Sequence, residues 1–359
     1  MRNLLIVYLL SSWLPINRDP VKLALFTPRA SHNQDERCPH SIISRTVGHK
    51  LFSTLKGFLG KRVMPYCYPP DPNTRKPKFT PPIKACDTHF HVFGPPEQFP
   101  YVSTHEYTPP AAPLEHYLKM AEVVGIERAV VVQPSVHGLD NSATLDAIEK
   151  SQGNFRGVCR IDDKTPKGEL ERLQKGGIRG VRFNLLDRPR GNVKLDVLDR
   201  CVENIVELGW SVDLHIDMKN LIAQEKRIRG MPVPVVIDHI ARVKPTDGIS
   251  QAGFQLLLDL MKLKHVWVKI SGADKICNTP VHNYFGLPFV EVIPYAQTVI
   301  AAAPDRVIWG TDWPHSNNFA PGYTPNDGDL VDLLALFAPD EATRKNILVD
   351  NPAALYRFE

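Results

Sequence analysis

Short apolar runs alternate with amphipathic stretches from about Lys84 to the C-terminus. Several of these runs are continuous and rich in β-branched residues, such as AVVVQ and VVIDH, which is typical of strands buried on both faces of a parallel sheet. The pattern predicts eight strands, at Ala85–His89, Arg128–Gln133, Phe155–Arg160, Gly180–Asn184, Ser211–His215, Val235–Asp238, Val266–Ile270 and Arg306–Trp309.

The stretches between the strands carry apolar residues at three- and four-residue spacing, which predicts helices. The clearest are Leu114–Val124, Ala143–Gln152, Leu195–Leu208, Gln251–Leu263 and Pro288–Ala303. Eight strand–helix units between residues 84 and 359 predict a closed (β/α)8 TIM barrel, which usually takes ~250 residues. An open doubly wound sheet is the alternative, but no GxGxxG motif follows the first strand to support its dinucleotide-binding version.

Residues 1–83 differ from the rest and are predicted to form a poorly ordered N-terminal extension ending in a proline-rich linker, with the barrel domain at 84–359. Residues 44–64 contain basic but no acidic residues, and their leucines recur at helical spacing. This pattern is typical of a mitochondrial-type targeting helix; an alternative of at least equal weight is a poorly ordered extension or upstream sequence included by a wrong start, with Met64 as an alternative start. We otherwise expect a cytoplasmic protein.

Composition and charge exclude several classes of function. The chain has 43 basic and 39 acidic residues, a balance too even to indicate nucleic acid as the partner. The apolar run at 4–10 is much shorter than the ~20 residues that span a bilayer, so no membrane association is expected. The six cysteines are scattered without a CxxC pair, which argues against a zinc ribbon or a disulfide scaffold. Homo-oligomerisation is left open.

Ionisable residues gather where the predicted strands end, which in a barrel is the active-site rim. His89 and His91 form an HxH pair at the end of the first strand, and the two-residue period of a strand directs both side chains to one face. His239 follows the sixth strand and Asp312 follows the eighth. Such a group can clasp a metal or polarise a carbonyl, so these four residues are the predicted catalytic centre.

Three segments around these residues resemble the amidohydrolase-related (family 2) branch of the amidohydrolase superfamily: DTHFHVFGP (Asp87–Pro95), VIDHIAR (Val236–Arg242) and WGTDWPH (Trp309–His315). Two further segments, VQPSVHGLDN (Val132–Asn141) and RGVRFNLLDR (Arg179–Arg188), are most similar to its 2-pyrone-4,6-dicarboxylate lactonases. The resemblance covers residues 84–359 in the correct order.

The resemblance implies hydrolysis of a small carboxylated lactone, with Asp312 as general base on water and His89, His91 and His239 polarising the carbonyl. The substrate-binding positions that it implies, with His215 as a weaker candidate, are Arg182, Arg188, Arg242, Ser135, Tyr107 and His215. Two positions depart from the lactonase pattern. His215 replaces a tyrosine and Lys275 replaces an arginine, which indicates a related lactone rather than the same one.

No cofactor is expected, because the lactonase resemblance favours a metal-free reaction. The alternative is one Zn²⁺ on His89, His91 and Asp312, which would acidify the attacking water. That version belongs with a rival function, a zinc-dependent decarboxylase of an aromatic or unsaturated carboxylic acid. A non-catalytic binding protein is a further rival, but all four central residues are present.

Overall fold

The computed structural model describes residues 64–187, 193–277, 286–319 and 324–359, so most of the expected extension lies outside the described residues. Eight strands form one sheet in chain order, each parallel to the next. They are β1 (Cys86–Phe90), β2 (Arg128–Val132), β3 (Phe155–Cys159), β4 (Ile178–Asn184), β5 (Ser211–His215), β6 (Val235–Ile237), β7 (Val266–Lys269) and β8 (Val307–Ile308).

The sheet curls until the end of β8 lies beside β1. The Thr88 N–H donates to the Trp309 carbonyl at 2.9 Å, and the His91 N–H donates to the Trp313 carbonyl at 2.8 Å. These bonds link the two edges and nearly close the barrel. The predicted (β/α)8 barrel is confirmed, with every strand end at its predicted residue or within two residues of it.

Helices follow the strands around the outside. The described α-helices are α1 (Leu114–Val124), α2 (Ser142–Lys150), α3 (Lys167–Lys175), α4 (Leu195–Ile205), α5 (Met218–Ala223), α6 (Glu225–Arg229), α7 (Ala252–Leu260), α8 (Ala273–Ile276), α9 (Ile293–Ala302), α10 (Asp327–Phe337), α11 (Glu341–Lys345) and α12 (Asn351–Tyr356). The helix predicted from Pro288 begins only at Ile293, because Phe289 takes the left-handed conformation with φ 60°.

The strands separate two apolar regions. Along β2, Ala129 and Val131 pack in the larger core together with the helices, whereas Val130 and Val132 join a smaller cluster that also contains Tyr356. This alternation is the two-residue period of a strand. Since Tyr356 closes α12 and its hydroxyl reaches the Asp213 carboxylate of β5 at 3.5 Å, the smaller cluster fills the inside of the barrel below the polar groups.

The proline-rich segment before β1 lies against the barrel where the structure describes it. Arg75 Nε donates to Asp329 Oδ1 at 2.8 Å, and the Lys78 N–H donates to Asp332 Oδ1 at 2.7 Å. These two contacts attach the segment to helix α10, while the boundary of the domain at residue 84 stays a prediction. Across the described parts of the chain, no helix combines the length and the hydropathy that crossing a bilayer requires.

Candidate active site

Three imidazoles and one carboxylate converge at the rim formed by the C-terminal ends of the strands. Asp312 Oδ1 lies 3.4 Å from His89 Nε2, 3.5 Å from His91 Nε2 and 4.0 Å from His239 Nε2. All four side chains are buried, with relative exposures of 0–3%. The four predicted catalytic residues are therefore brought together, although they stand far apart in the sequence.

Unusual backbone geometry directs two of these side chains. His239 and the three residues after it all have φ between 47° and 52°, so the chain makes a left-handed turn directly after β6. Asp312 also has a positive φ, 63°. Left-handed geometry in non-glycine residues costs energy and is found mostly where function requires it. Gly272 completes the arrangement, because a Cβ there would lie 2.5 Å from His239 Nδ1.

A buried charge network supports the histidines from below. Lys269 Nζ lies 2.9 Å from Asp213 Oδ2, 3.1 Å from Asp238 Oδ1 and 3.3 Å from His89 Nδ1. Arg182 Nε donates to the other oxygen of Asp238 at 2.8 Å. The side chains of Lys269 and both aspartates are fully buried, so each charge depends on its partners for compensation. Lys269 was not among the predicted site residues, because it lies within an apolar strand.

Hydrogen bonds to the Nδ1 atoms constrain the imidazoles. His91 Nδ1 lies 2.7 Å from the Val132 carbonyl, which can only accept, so this nitrogen carries a hydrogen. His239 Nδ1 lies 2.9 Å from the Ser271 hydroxyl. His89 Nε2 is buried and has no hydrogen-bond partner among the described residues. This nitrogen lies 3.4 Å from Asp312 Oδ1, and a buried polar atom without a hydrogen bond is expected of a group that meets a ligand.

The electrostatics keep Asp312 ionised and favour the neutral forms of His89 and His239. Burial alone would raise the pKa of Asp312, but His239, a hydrogen bond with His91 and the Lys275 ammonium together hold the pKa well below its usual value. Burial lowers the pKa of His239 to about 4, against the opposing effect of Asp312. Burial likewise holds the pKa of His89 well below its usual value. At neutral pH the site therefore holds one ionised carboxylate, Asp312, beside two neutral imidazoles, those of His89 and His239.

A pocket that opens to solvent lies above this group; its empty volume, with the solvent at its mouth included, is about 590 Å³. The predicted substrate-binding residues that line it are Tyr107, Ser135, Arg182, His215 and Arg242. Arg188 lies outside the described residues. Lys275, which replaces the expected arginine, also lines the pocket; its Nζ lies 2.6 Å from Asp274 Oδ2 and 3.8 Å from Asp312 Oδ2.

The predicted site residues did not include Arg160, a charged residue that lines the pocket. It comes directly after β3, so the same rule that located the other strand ends applies to it. The sequence analysis included Arg160 in the predicted strand and did not consider its side chain. By contrast, His315 follows β8 but does not line the pocket, because its Nε2 pairs with Asp327 Oδ1 at 3.2 Å in the interior.

The donor atoms suit a metal ion as well as a metal-free reaction. One ligand atom each from His89, His239 and Asp312 lies within 4.8 Å of the others, and all three residues are buried. This set contains His239 where the sequence analysis had placed His91. Two imidazoles and a carboxylate are the ligand types that Zn²⁺ prefers, and the orphaned His89 nitrogen fits that role.

A parallel eight-stranded barrel with histidines after its first and sixth strands and an aspartate after its eighth defines a hydrolase of the amidohydrolase superfamily. The amidohydrolase family model matches residues 86–358, and the chain belongs to this family. The predicted resemblance is confirmed.

Two curated relatives are lactone hydrolases. The chain is 44% identical over 297 residues to a 4-sulfomuconolactone hydrolase from Hydrogenophaga intermedia, covering 82% of this chain and 95% of that protein. It is 37% identical over 287 residues to a 2-pyrone-4,6-dicarboxylate hydrolase from Comamonas testosteroni, covering 79% and 93%. These names favour the predicted hydrolase over the decarboxylase alternative.

Solved structures agree with this assignment. A probable 2-pyrone-4,6-dicarboxylic acid hydrolase from Acinetobacter baumannii with citric acid bound superposes with a TM-score of 0.64 at 29% identity, covering 77% of this chain and 100% of that one. A 2-pyrone-4,6-dicarboxylic acid hydrolase from Pseudomonas putida, described as putative, gives 0.66 at 29% identity, covering 77% and 99%. The barrel described here is therefore also the fold of solved structures that are described as 2-pyrone-4,6-dicarboxylic acid hydrolases.

Proposed function

We propose that this protein hydrolyses a lactone that bears anionic groups, with Asp312 activating the attacking water. The observation that carries the proposal is the Asp312 carboxylate among three imidazoles, in a pocket also lined by arginines. The names of both curated relatives support it, because 4-sulfomuconolactone and 2-pyrone-4,6-dicarboxylate are both cyclic esters with acidic substituents.

Asp312 is suited to be the base. Its pKa lies well below the usual range, so the carboxylate is ionised throughout the neutral range and is free to accept a proton from water. A carboxylate with such a low pKa is a weak base, and the reaction therefore also needs strong stabilisation of the charge that develops on the carbonyl oxygen.

His239 and His89 are placed to supply that stabilisation. When the Ser271 hydroxyl donates to His239 Nδ1, the imidazole hydrogen lies on Nε2, which is 4.0 Å from Asp312 Oδ1. His89 Nε2 has no partner among the described residues, and its proton would likewise be available to the carbonyl oxygen. A neutral imidazole can stabilise a developing oxyanion by donating a hydrogen bond to it while keeping its own proton.

The cationic side chains of the pocket suit an anionic substrate. Arg242 donates to His215 Nε2 at 3.4 Å and forms no ion pair with a carboxylate in the described part of the chain. Burial lowers the pKa of Arg242, in spite of the opposing effects of Asp312 and Asp274. A substrate carboxylate or sulfonate would compensate the Arg242 charge by accepting charge-assisted hydrogen bonds from its guanidinium.

We propose a reaction that needs no metal, since the imidazoles and cations already surround the carbonyl position. If a Zn²⁺ ion binds, His89, His239 and Asp312 would hold it, and it would lower the pKa of bound water. The positive charges of Lys275 and Arg242 near Asp312 would repel a metal ion bound there. This repulsion is the physical reason for preferring the metal-free reaction.

The test is a hydrolysis panel of 4-sulfomuconolactone, 2-pyrone-4,6-dicarboxylate and uncharged δ-valerolactone. We expect kcat/KM to be at least about 100-fold higher for an anionic lactone, because paired charges each contribute about 1.5–3 kcal/mol. We expect Asp312→Asn to lower kcat by about 100–10,000-fold while the protein stays folded. Asp305→Asn is the control, because that aspartate lies before β8 and its side chain is 71% exposed. Failure to hydrolyse either anionic lactone, or an active Asp312→Asn variant, would refute the proposal.

A further inference from the structure

The pocket contains an arginine that no part of the mechanism has used. Arg160 lines the pocket at the end of β3 and is half-buried. Its guanidinium forms no hydrogen bond or ion pair with any side chain in residues 64–187, 193–277, 286–319 or 324–359. The sequence has no acidic residue at 188–192, 278–285 or 320–323, the segments between these described ranges. Among the described residues of the barrel domain, no carboxylate therefore pairs with the charge of Arg160.

The backbone of Arg160 is held firmly in place. The Arg160 N–H donates to Asn141 Oδ1 at 3.0 Å, and Asn141 Nδ2 donates to the Arg160 carbonyl at 2.9 Å. Asn141 itself is buried, with 4% of its surface exposed. Such a two-point clamp fixes the direction in which a side chain leaves the strand end, as a preorganised binding group requires.

A second guanidinium lies beside Arg160. Cys159 pairs with Val181 in the β3–β4 register, so the residues that follow them, Arg160 and Arg182, occupy neighbouring positions. Both line the pocket, and burial together with the nearby Arg182 charge lowers the pKa of Arg160. Arg182 is compensated by Asp238 at 2.8 Å, whereas Arg160 has no carboxylate partner among the described residues, so an anion bound beside the two guanidinium groups would compensate Arg160.

The position of this pair in the barrel suggests what the anion belongs to. Strands β3 and β4 lie opposite β7 and β8 in the eight-stranded order, and the second cationic group of the pocket, Arg242 and Lys275, follows β6 and β7. Asp312 and the imidazoles come from the ends of β8, β1 and β6. A flat molecule with an anionic group at each end could therefore span the pocket with its ring ester between them.

We propose that Arg160, acting with Arg182, forms a second anion subsite that binds one carboxylate or sulfonate of the substrate and selects dianionic over monoanionic lactones. The inference rests on the proposed function for the identity of the substrate. The subsite itself is tested by binding alone, so that the two proposals can fail separately.

The experiment measures the Kd of isophthalate and of benzoate by titration calorimetry in a buffer without multivalent anions. These unreactive flat acids carry two carboxylates and one, respectively. Loss of a charge-assisted pair lowers affinity by about 10–100-fold, so we expect Arg160→Gln to weaken isophthalate at least about tenfold and benzoate less than about threefold. Arg160→Lys should fall between, because it keeps the charge but loses the planar fork.

Arg156→Gln is the matched control. Arg156 lies on the same strand at its opposite end, is half-buried and stacks at 4.7 Å over the ring of Phe358. We expect the Arg156→Gln substitution to leave the ratio of the isophthalate and benzoate dissociation constants unchanged. Thermal unfolding checks that each variant is folded, and Arg160→Lys keeps the test valid if Arg160→Gln does not fold.

Three results would overturn the subsite: wild-type protein that prefers isophthalate no more than benzoate, an Arg160→Gln variant with an unchanged ratio, or the same loss in Arg156→Gln. Wild-type protein that hydrolyses no lactone, yet shows the expected change in binding ratio, would instead refute the proposed function and leave the subsite standing. On an active enzyme, Arg160→Gln should lower kcat/KM for 2-pyrone-4,6-dicarboxylate at least about tenfold, mainly through KM.

Discussion

Replacing Lys269 with methionine should destabilise the barrel strongly and in a pH-dependent way. The change keeps the length and packing of the side chain but removes the cation that lies 2.9 Å from Asp213 and 3.1 Å from Asp238. Asp238 keeps Arg182 as a partner at 2.8 Å. Among the described residues, Asp213 keeps only the hydroxyls of Ser211 and Tyr356, so one buried carboxylate loses its counter-charge.

The size of the effect can be bounded in two ways. Breaking a buried ion pair by removing one partner costs about 3–5 kcal/mol. Protonating the orphaned Asp213 instead costs about 4 kcal/mol at pH 7, since an ordinary aspartate has a pKa of about 3.9 and each unit corresponds to about 1.36 kcal/mol. The folded protein takes the cheaper route, and both estimates agree. We therefore expect Lys269→Met to lower the free energy of unfolding by about 4 kcal/mol at pH 7.

The pH dependence follows from the direction of the shift. Burial already raises the pKa of Asp213, although Lys269 opposes it, and removing Lys269 raises the pKa further. Between the unfolded and folded pKa values the folded state then binds the additional proton, so stability falls as pH rises through this window. The loss caused by the substitution should shrink by about 1.4 kcal/mol for each unit that the pH is lowered from 7 towards the unfolded value.

Urea unfolding followed by circular dichroism at pH 7.0 and 5.5 measures both effects. Lys269→Met combined with Asp213→Asn should recover most of the loss, because no buried charge is then orphaned. Lys262→Met is the exposed control, with a side chain that is 78% exposed and a surface ion pair to Asp259 worth at most about 1 kcal/mol. A loss below about 1 kcal/mol in Lys269→Met, or one that is equal at both pH values, would show that the network does not carry the assigned charges.

Further predictions concern the pocket. Gly272→Ala should lower kcat/KM at least about tenfold, because the new Cβ would lie 2.5 Å from His239 Nδ1 at a φ of 61°; steady-state kinetics test this, and full activity would exclude the contact. Since the pKa of Asp312 lies well below its usual value and that of His239 is about 4, kcat/KM should stay level from pH 8 to about 5; a drop centred near 6.5 would contradict these shifts. Arg182→Ala should raise KM more for a dianionic lactone than for an uncharged one, and equal increases would exclude a carboxylate contact. Dialysis against a chelator, with zinc quantified in the same sample, should leave kcat/KM unchanged; activity lost with the metal and restored by Zn²⁺ would reverse the metal-free proposal.

The buried network also explains why the site can hold so many charges. Lys269, Asp213 and Asp238 compensate one another below the pocket, and Tyr356 of the apolar cluster reaches them from beneath. This arrangement holds His89 through its Nδ1, while Nε2 lies 3.4 Å from Asp312 Oδ1. The stability of the barrel and the orientation of the His89 imidazole therefore depend on the same few contacts.

The sequence by itself determined the barrel and its central residues. Continuous β-branched runs alternating with amphipathic stretches are sufficient to predict a parallel α/β barrel, because strand and helix periods differ and hydrophobic burial acts on each locally. His89, His91, His239 and Asp312 could be grouped in advance, since in this fold every C-terminal strand end meets at one rim.

Only the tertiary structure decided which neighbours these residues have. Lys269 is an isolated charge in an apolar strand until the folded barrel places it between two aspartates. The left-handed turn that aims His239, and the clamp of Asn141 on Arg160, depend on contacts between segments far apart in the chain. Such contacts are set by three-dimensional packing rather than by local periodicity, which is why the pattern of residues located the site but not its charge balance.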